Sequence, residues 1–176
     1  MTESYMSTEE SPLLVEPPIE YAPSNPDKLP IWEFIVLALG DLLGWLIFAA
    51  VGRASHGLTS GGGPIVGTIN TAMPFMVAWL MVALATGTFS GKALYPLQRV
   101  LLRSGLTGLL AAPLGVLLRS LWESPPALTV ADRFAWALRD VQPSFLLVAT
   151  LTGTLILLLW RVGWSRLRRL WWDDLP

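Results

Sequence analysis

Four apolar stretches of roughly twenty residues each, near 31–52, 65–87, 100–118 and 145–162, decide what this chain can become. About twenty residues is the length at which a helix crosses the hydrocarbon core of a bilayer. Inside that core every backbone N–H and C=O must be satisfied within the protein, so continuous apolar runs of this length are expected as helices. The predicted fold is an all-α integral membrane protein, an antiparallel bundle of four transmembrane helices in a cell membrane. Composition agrees: mean hydropathy is +0.53, and 14% of residues are charged, against about 25% in soluble domains. Of the nine Trp, six (Trp32, Trp122, Trp160, Trp164, Trp171 and Trp172) fall near span ends, as interfacial anchors do. The absence of Cys excludes disulfides, thiolate metal sites and cysteine nucleophiles.

The two ends of the chain differ from its middle. Residues 1–30 carry Pro12, Pro17, Pro18, Pro23, Pro26 and Pro30 among Glu3, Glu9, Glu10, Glu16, Glu20 and Asp27. Such a segment buries too little apolar surface to offset its ordering entropy, so a disordered acidic tail is expected. It lacks the basic start and early apolar run of a secretory signal, and the first span is expected to stay in the mature chain. Residues 31–162 make the membrane domain, and 163–176 a basic Trp-rich interfacial tail. There Trp164, Leu167 and Trp171 extend one helical face from Trp160, while Arg161, Arg166, Arg168 and Arg169 take the others. This basic amphipathic extension suits anionic headgroups of membrane lipids. A basic cluster beside a span is a topology anchor, and no nucleic-acid partner is expected.

Basic residues also set the orientation. With four spans both termini share one side, which collects Lys28, Lys92, Arg99, Arg103, Arg161, Arg166, Arg168 and Arg169; the other side has Arg53, Arg119, Arg133 and Arg139. That excess predicts both termini in the cytoplasm. The connection over 123–142 is interrupted by Pro125, Pro126, Asp132, Arg133, Arg139 and Asp140, which argues against a fifth span. A short helix is expected within it, because Val130, Phe134, Ala137, Leu138 and Val141 share a face behind a Thr129 cap with Asp132 at its third position. Its expected place is the outer membrane surface. Gly61-Gly62-Gly63 reads as a turn before Pro64 opens the second span. It lacks the Lys and Ser/Thr of a phosphate-binding loop.

Polar residues within the spans are the first candidates for function. Asp41 lies near mid-depth of the first span, where an ionised group costs ~2.5–3.5 kcal/mol on insertion scales, so it must face protein or water. Gly44, Trp45, Phe48 and Gly52 lie on its side, and Gly40 with Gly44 forms a small-residue pair that permits close helix approach. In the second span Pro74 removes the hydrogen bond that would use the Asn70 carbonyl, predicting a kink with a free acceptor. Thr150 and Thr154 share a face of the fourth span, and a rise of ~1.5 Å per residue brings Thr154 close to the level of Asp41. Asp41, Asn70 and Thr154 are therefore expected to line one polar interior, with Asp41 as an ion or proton site. The competing reading makes Asp41 a hydrogen-bonded residue that holds helices together.

A second cluster gathers at the outer span ends. Gly52-Arg53-Ala54-Ser55-His56-Gly57 follows the first span, and Leu117-Leu118-Arg119 closes the third. Arginines at helix C-termini are favoured by the dipole and can clamp a headgroup or carboxylate through two nitrogens. They also run against the positive-inside trend, so topology alone does not explain them. His56 is the only histidine, which excludes a bis-histidine haem or multi-histidine metal site within one chain; no metal and no cofactor is expected. Glu123 is the nearest candidate counter-ion for Arg119.

The succession Asp41, Phe48 through His56, Pro74-Phe75 with Trp79, Gly115 through Arg119, and Ser144 through Ala149 resembles the small prokaryotic membrane family labelled domain of unknown function 3054. The resemblance spans roughly residues 34–162, and its most specific element is the Gly-Arg-x-Ser-His stretch at 52–56. It implies a four-span helical protein without an established activity, and points to Asp41, Arg53, His56 and Arg119 as functional positions. Two readings of function follow. One is a small transporter or channel component, with the polar interior below and Arg53, His56 and Arg119 selecting anionic or protonatable cargo at the mouth. Four short spans leave little room for alternating access, so that reading calls for a homodimer. The other is a non-catalytic accessory or assembly subunit of a membrane complex. An intramembrane enzyme ranks third, because neither a paired acid nor a multi-residue metal site is evident.

Overall fold

The structure is a computed structural model that describes residues 29–57, 63–94 and 96–172. The acidic tail expected over 1–30 falls almost wholly outside the described residues, as do Gly61 and Gly62 of the expected turn and residues 173–176. All described secondary structure is helical: α1 (Ile31–Ser55), α2 (Gly63–Ala85), a single 3₁₀ turn (Gly91–Ala93), α3 (Leu97–Glu123), α4 (Val130–Asp140) and α5 (Pro143–Trp172). Four of these, α1, α2, α3 and α5, are long and apolar enough to cross a membrane. The protein is a multi-pass membrane protein.

Local chemistry sets the element ends. Pro30 and Pro96 cap the starts of α1 and α3, and Pro143 is the first residue of α5, a position where its missing N–H costs nothing. Gly57 and Gly87 lie at positive φ, 62° and 65°, just beyond α1 and α2, the left-handed conformation that closes a helix and that glycine adopts without strain. α4 starts where expected: Thr129 Oγ1 accepts from the Asp132 backbone N–H at 3.3 Å. Of its expected apolar face, Ala137 turns into the protein, while Val130, Phe134 and Leu138 stay exposed. α5 runs unbroken to Trp172, so the basic extension continues the helix of the last span.

The long helices stand in a ring, α1 beside α2, α2 beside α3, α3 beside α5 and α5 beside α1, each antiparallel to its neighbours. We call the end where α1 begins and α5 finishes the near end, and the opposite end the far end. Glycines set how closely the helices meet. The indole of Trp160 lies where a Cβ on Gly40 would sit. Gly153 faces the Trp45 ring, its virtual Cβ 2.7 Å away, and Gly115 faces Phe75, with the Phe75 Cα at 3.0 Å. Gly108 receives Thr154, its virtual Cβ 2.8 Å from Oγ1. The core between them is aromatic: Trp45 stacks on Phe75 at 5.3 Å between centroids, and Phe48 meets Phe75 edge-on at 5.3 Å. In contrast, the outward faces carry exposed Leu39, Leu43, Leu84, Leu102, Leu151, Leu155 and Leu159, as a bilayer solvent permits.

Candidate functional site

Asp41 sits inside the ring with no exposed surface, and its partner is Arg161 on α5, also fully buried. Arg161 Nε donates to Asp41 Oδ1 at 3.0 Å, and Nη2 donates to Oδ2. The third nitrogen, Nη1, donates to the Thr88 carbonyl at 3.2 Å. Trp79 Nε1 donates to Asp41 Oδ2 at 3.1 Å. The guanidinium also lies over the Phe89 ring, 4.8 Å from its centroid, and 5.9 Å from that of Trp79. A lone charge in such a place is prohibitive; two opposed charges in fork-to-carboxylate contact, with each of the three guanidinium nitrogens donating to an acceptor, are tolerable.

This pair anchors a wider polar layer at the near end. The hydroxyls of Thr86, Thr88 and Thr107 form a triangle with edges of 2.7, 2.9 and 2.6 Å. Arg103 Nη1 donates to Ser90 Oγ at 3.1 Å, and Ser165 Oγ donates to the Leu94 carbonyl at 3.2 Å. The connection from α2 to α3 is thereby fastened to both α3 and α5. At the rim, buried Glu33 accepts from Arg168 Nε at 2.9 Å and from Trp164 Nε1 at 3.3 Å.

At the far end α1 and α5 part around a cavity of ≈ 470 Å³ lined by Arg53, His56, Arg119, Glu123 and Asp140. Its apolar walls come from Phe48, Val116, Phe145 and Val148. Arg119 Nε donates to Glu123 Oε1 at 3.0 Å, and its guanidinium lies 5.4 Å from the Phe145 ring centroid. Arg53 lies flat over Gly67 of α2, in the space that a Cβ there would need. Asp140, the last residue of α4, accepts from Ser120 Oγ at 2.7 Å, which ties the surface helix to the cavity wall. His56 follows the last turn of α1, its backbone N–H bonded to the Gly52 carbonyl at 3.3 Å.

The expected polar interior of Asp41, Asn70 and Thr154 does not assemble. Asn70 is exposed on the outside of α2, whose inward face is taken by Gly67, Ala72, Phe75 and Trp79. Thr154 is buried against Gly108 of α3, and among the described residues its Oγ1 has no hydrogen-bond partner; the buried Trp45 indole N–H is in the same condition. Asp41 pairs with α5 two turns beyond Thr154. Arg53, His56 and Arg119 do line one cavity. The residue that sequence reasoning misassigns is Arg161, which reads as a surface anchor. A signal for its burial exists: Arg161 falls four residues after Leu157 and seven after Thr154, on the buried face of α5. Trp79, Thr88 and Glu33 are likewise polar partners that the sequence reading does not find.

No curated protein and no solved structure matches the chain. The sequence model of the family described as protein of unknown function DUF3054 matches residues 38–164, a range that includes Asp41, Arg161 and the arginines of the cavity, and the chain belongs to that family.

Proposed function

We propose that the protein is a non-conducting accessory subunit that holds the anionic group of a ligand in its far-end cavity, with that end facing outward and both termini in the cytoplasm. The observation that carries this reading is the shared cavity. Arg53 and Arg119, far apart in sequence, line one concave space beside the apolar surfaces of Phe48 and Phe145. Guanidinium groups at the edge of an apolar recess suit a phosphate or carboxylate. The state of Asp41 favours a structural over a conducting role, because both its oxygens already accept from Arg161 or Trp79. The exposed Arg166 suits anionic headgroups at the near end, and Asn70 gives α2 a polar contact for a second copy or a partner subunit.

Native mass spectrometry of the protein released from a membrane of mixed phospholipids tests the site. Wild type should carry a phosphate-bearing adduct that Arg53→Ala and Arg119→Ala lose. Removing Arg119 forfeits an ion pair with an exposed partner, worth about 0–1 kcal/mol, so the variant should still fold. Adducts equal in all three proteins would sink the proposal. Orientation is tested by labelling single cysteines, Gln98→Cys and Ala135→Cys, with an impermeant thiol reagent on whole cells; only the second should react.

One observation favours transport as a second reading. The partnerless Trp45 Nε1 and Thr154 Oγ1 lie, along α1 and α5, between the cavity and the Asp41–Arg161 pair, where internal water would satisfy them. Flux across proteoliposomes that disappears in Asp41→Asn would replace the accessory reading with this one.

A further inference from the structure

The charged wall of the far-end cavity contains two cations and two anions. Arg53 and Arg119 stand with Glu123 and Asp140 in one lining. A receptor for a simple anion gains nothing from carboxylates beside the bound group, since each repels it. Here the carboxylates belong to the wall's construction: Glu123 is held by Arg119 and Asp140 by Ser120. Arg119 uses Nε for that contact, and its terminal nitrogens donate to nothing else among the described residues. Each carboxylate has acceptor capacity beyond that single bond. The wall thus offers donors for an anion and, adjacent to them, acceptors for a cation.

Beside polar Ser55, His56, Gln142 and Ser144, the lining includes an apolar patch of Phe48, Ala49, Val116, Phe145 and Val148. Deeper in the bundle α1 and α5 touch, through Trp45 on Gly153 and through Gly44 against Ile156, its virtual Cβ 3.2 Å from that side chain. Above that contact Phe48 and Ala49 of α1 and Phe145 and Val148 of α5 line the cavity. Val148 is 58% exposed, and it continues the exposed strip of Leu151, Leu155 and Leu159 on α5. The cavity therefore meets the surrounding hydrocarbon along the seam between α1 and α5.

Resting on the ligand site proposed above, we infer that the cavity takes a zwitterionic amphiphile with a phosphate and a primary ammonium. Arg53 and Arg119 hold the phosphate, Glu123 and Asp140 take the ammonium hydrogens, and the acyl chains leave along Phe48, Phe145 and Val148. A primary ammonium has three N–H donors for those carboxylates, whereas a quaternary one has none. The same headgroup chemistry exists in a lipid, phosphatidylethanolamine, and in free phosphoethanolamine.

The test is native mass spectrometry of the delipidated full chain, titrated with equimolar phosphatidylethanolamine, phosphatidylcholine and phosphatidylglycerol. Wild type should retain phosphatidylethanolamine over the other two by about tenfold or more, the worth of one charge-assisted hydrogen bond. The double variant Glu123→Gln, Asp140→Asn should reverse the preference to phosphatidylglycerol. Val148→Trp, which blocks the seam and leaves the charges in place, should lose the lipid. Competition by free phosphoethanolamine at equal concentration would keep the zwitterion and overturn the amphiphile. A preference for phosphatidylglycerol in wild type, abolished by Arg53→Ala, would overturn the zwitterion and leave the anion site standing. Retention insensitive to Arg53→Ala and Arg119→Ala would overturn both.

Discussion

Removing the carboxylate of Asp41 should be among the most destabilising changes this protein can suffer, and the structure gives the scale. Asp41→Leu deletes the acceptors of Arg161 Nε, Arg161 Nη2 and Trp79 Nε1 in a place with no exposed surface. The guanidinium is left with one carbonyl, that of Thr88 at 3.2 Å, and the faces of Phe89 and Trp79. Breaking a buried pair from one side costs about 3–5 kcal/mol, mostly the penalty of the abandoned charge. Arg161→Met should cost a similar amount for the mirror reason. Independent sites would then sum to roughly 6–10 kcal/mol in the double variant. The pair predicts otherwise: with both charges gone and the volume filled, the double variant should cost no more than either single change, since apolar replacement of a buried pair is often neutral. The assay is reversible SDS-induced unfolding in mixed micelles, followed by tryptophan fluorescence, in which Trp79 is a direct reporter. Arg161→Lys, which keeps the charge but not the two-nitrogen fork, should fall closer to Arg161→Met than to wild type. Single effects that add within about 0.5 kcal/mol would refute the coupling and with it the structural role of the pair.

Two further predictions concern packing and the orphaned hydroxyl. Gly115→Ala should destabilise by about 1–3 kcal/mol, because its Cβ would meet the Phe75 Cα at 3.0 Å and the ring at 2.5 Å, and backbone cannot step aside; Gly163→Ala, with nothing within 4 Å, should be neutral or gain up to about 1 kcal/mol of helix propensity. The same unfolding assay ranks them, and equal effects would discredit the glycine contacts. Thr154→Val keeps the shape and removes a buried hydroxyl without a partner, so it should stabilise by about 1 kcal/mol; a loss instead would reveal an internal water bonded there and strengthen the transport reading.

What is legible in the sequence is what depends on short-range constraints. The bilayer demands a certain length of apolar helix, and that demand alone locates all four spans. Capping is equally local, so Thr129 and Asp132 mark the start of α4 correctly. Antiparallel spans also put Arg53, His56 and Arg119 at one end of the bundle, because successive helix ends must alternate sides.

Which face of each span turns inward is not legible, and for a physical reason. In water, burial separates apolar from polar and leaves an amphipathic stripe; in lipid, the outside is as apolar as the core, so a span shows no such stripe. Asn70, polar and beside Pro74, is expected inside, yet Ala72, Phe75 and Trp79 hold the inward face of α2. Arg161 reads as one of the basic surface residues because it stands near them in sequence. The seating of Trp160 on Gly40 sets α5 against α1 at the depth that brings the guanidinium onto Asp41. The sequence alone determined that the chain has four helices long and apolar enough to cross a membrane and that Arg53 and Arg119 share an end. Only tertiary packing decided that the buried acid has a buried base, because the register between two uniformly apolar helices is written in the shapes they press together and not in their hydropathy.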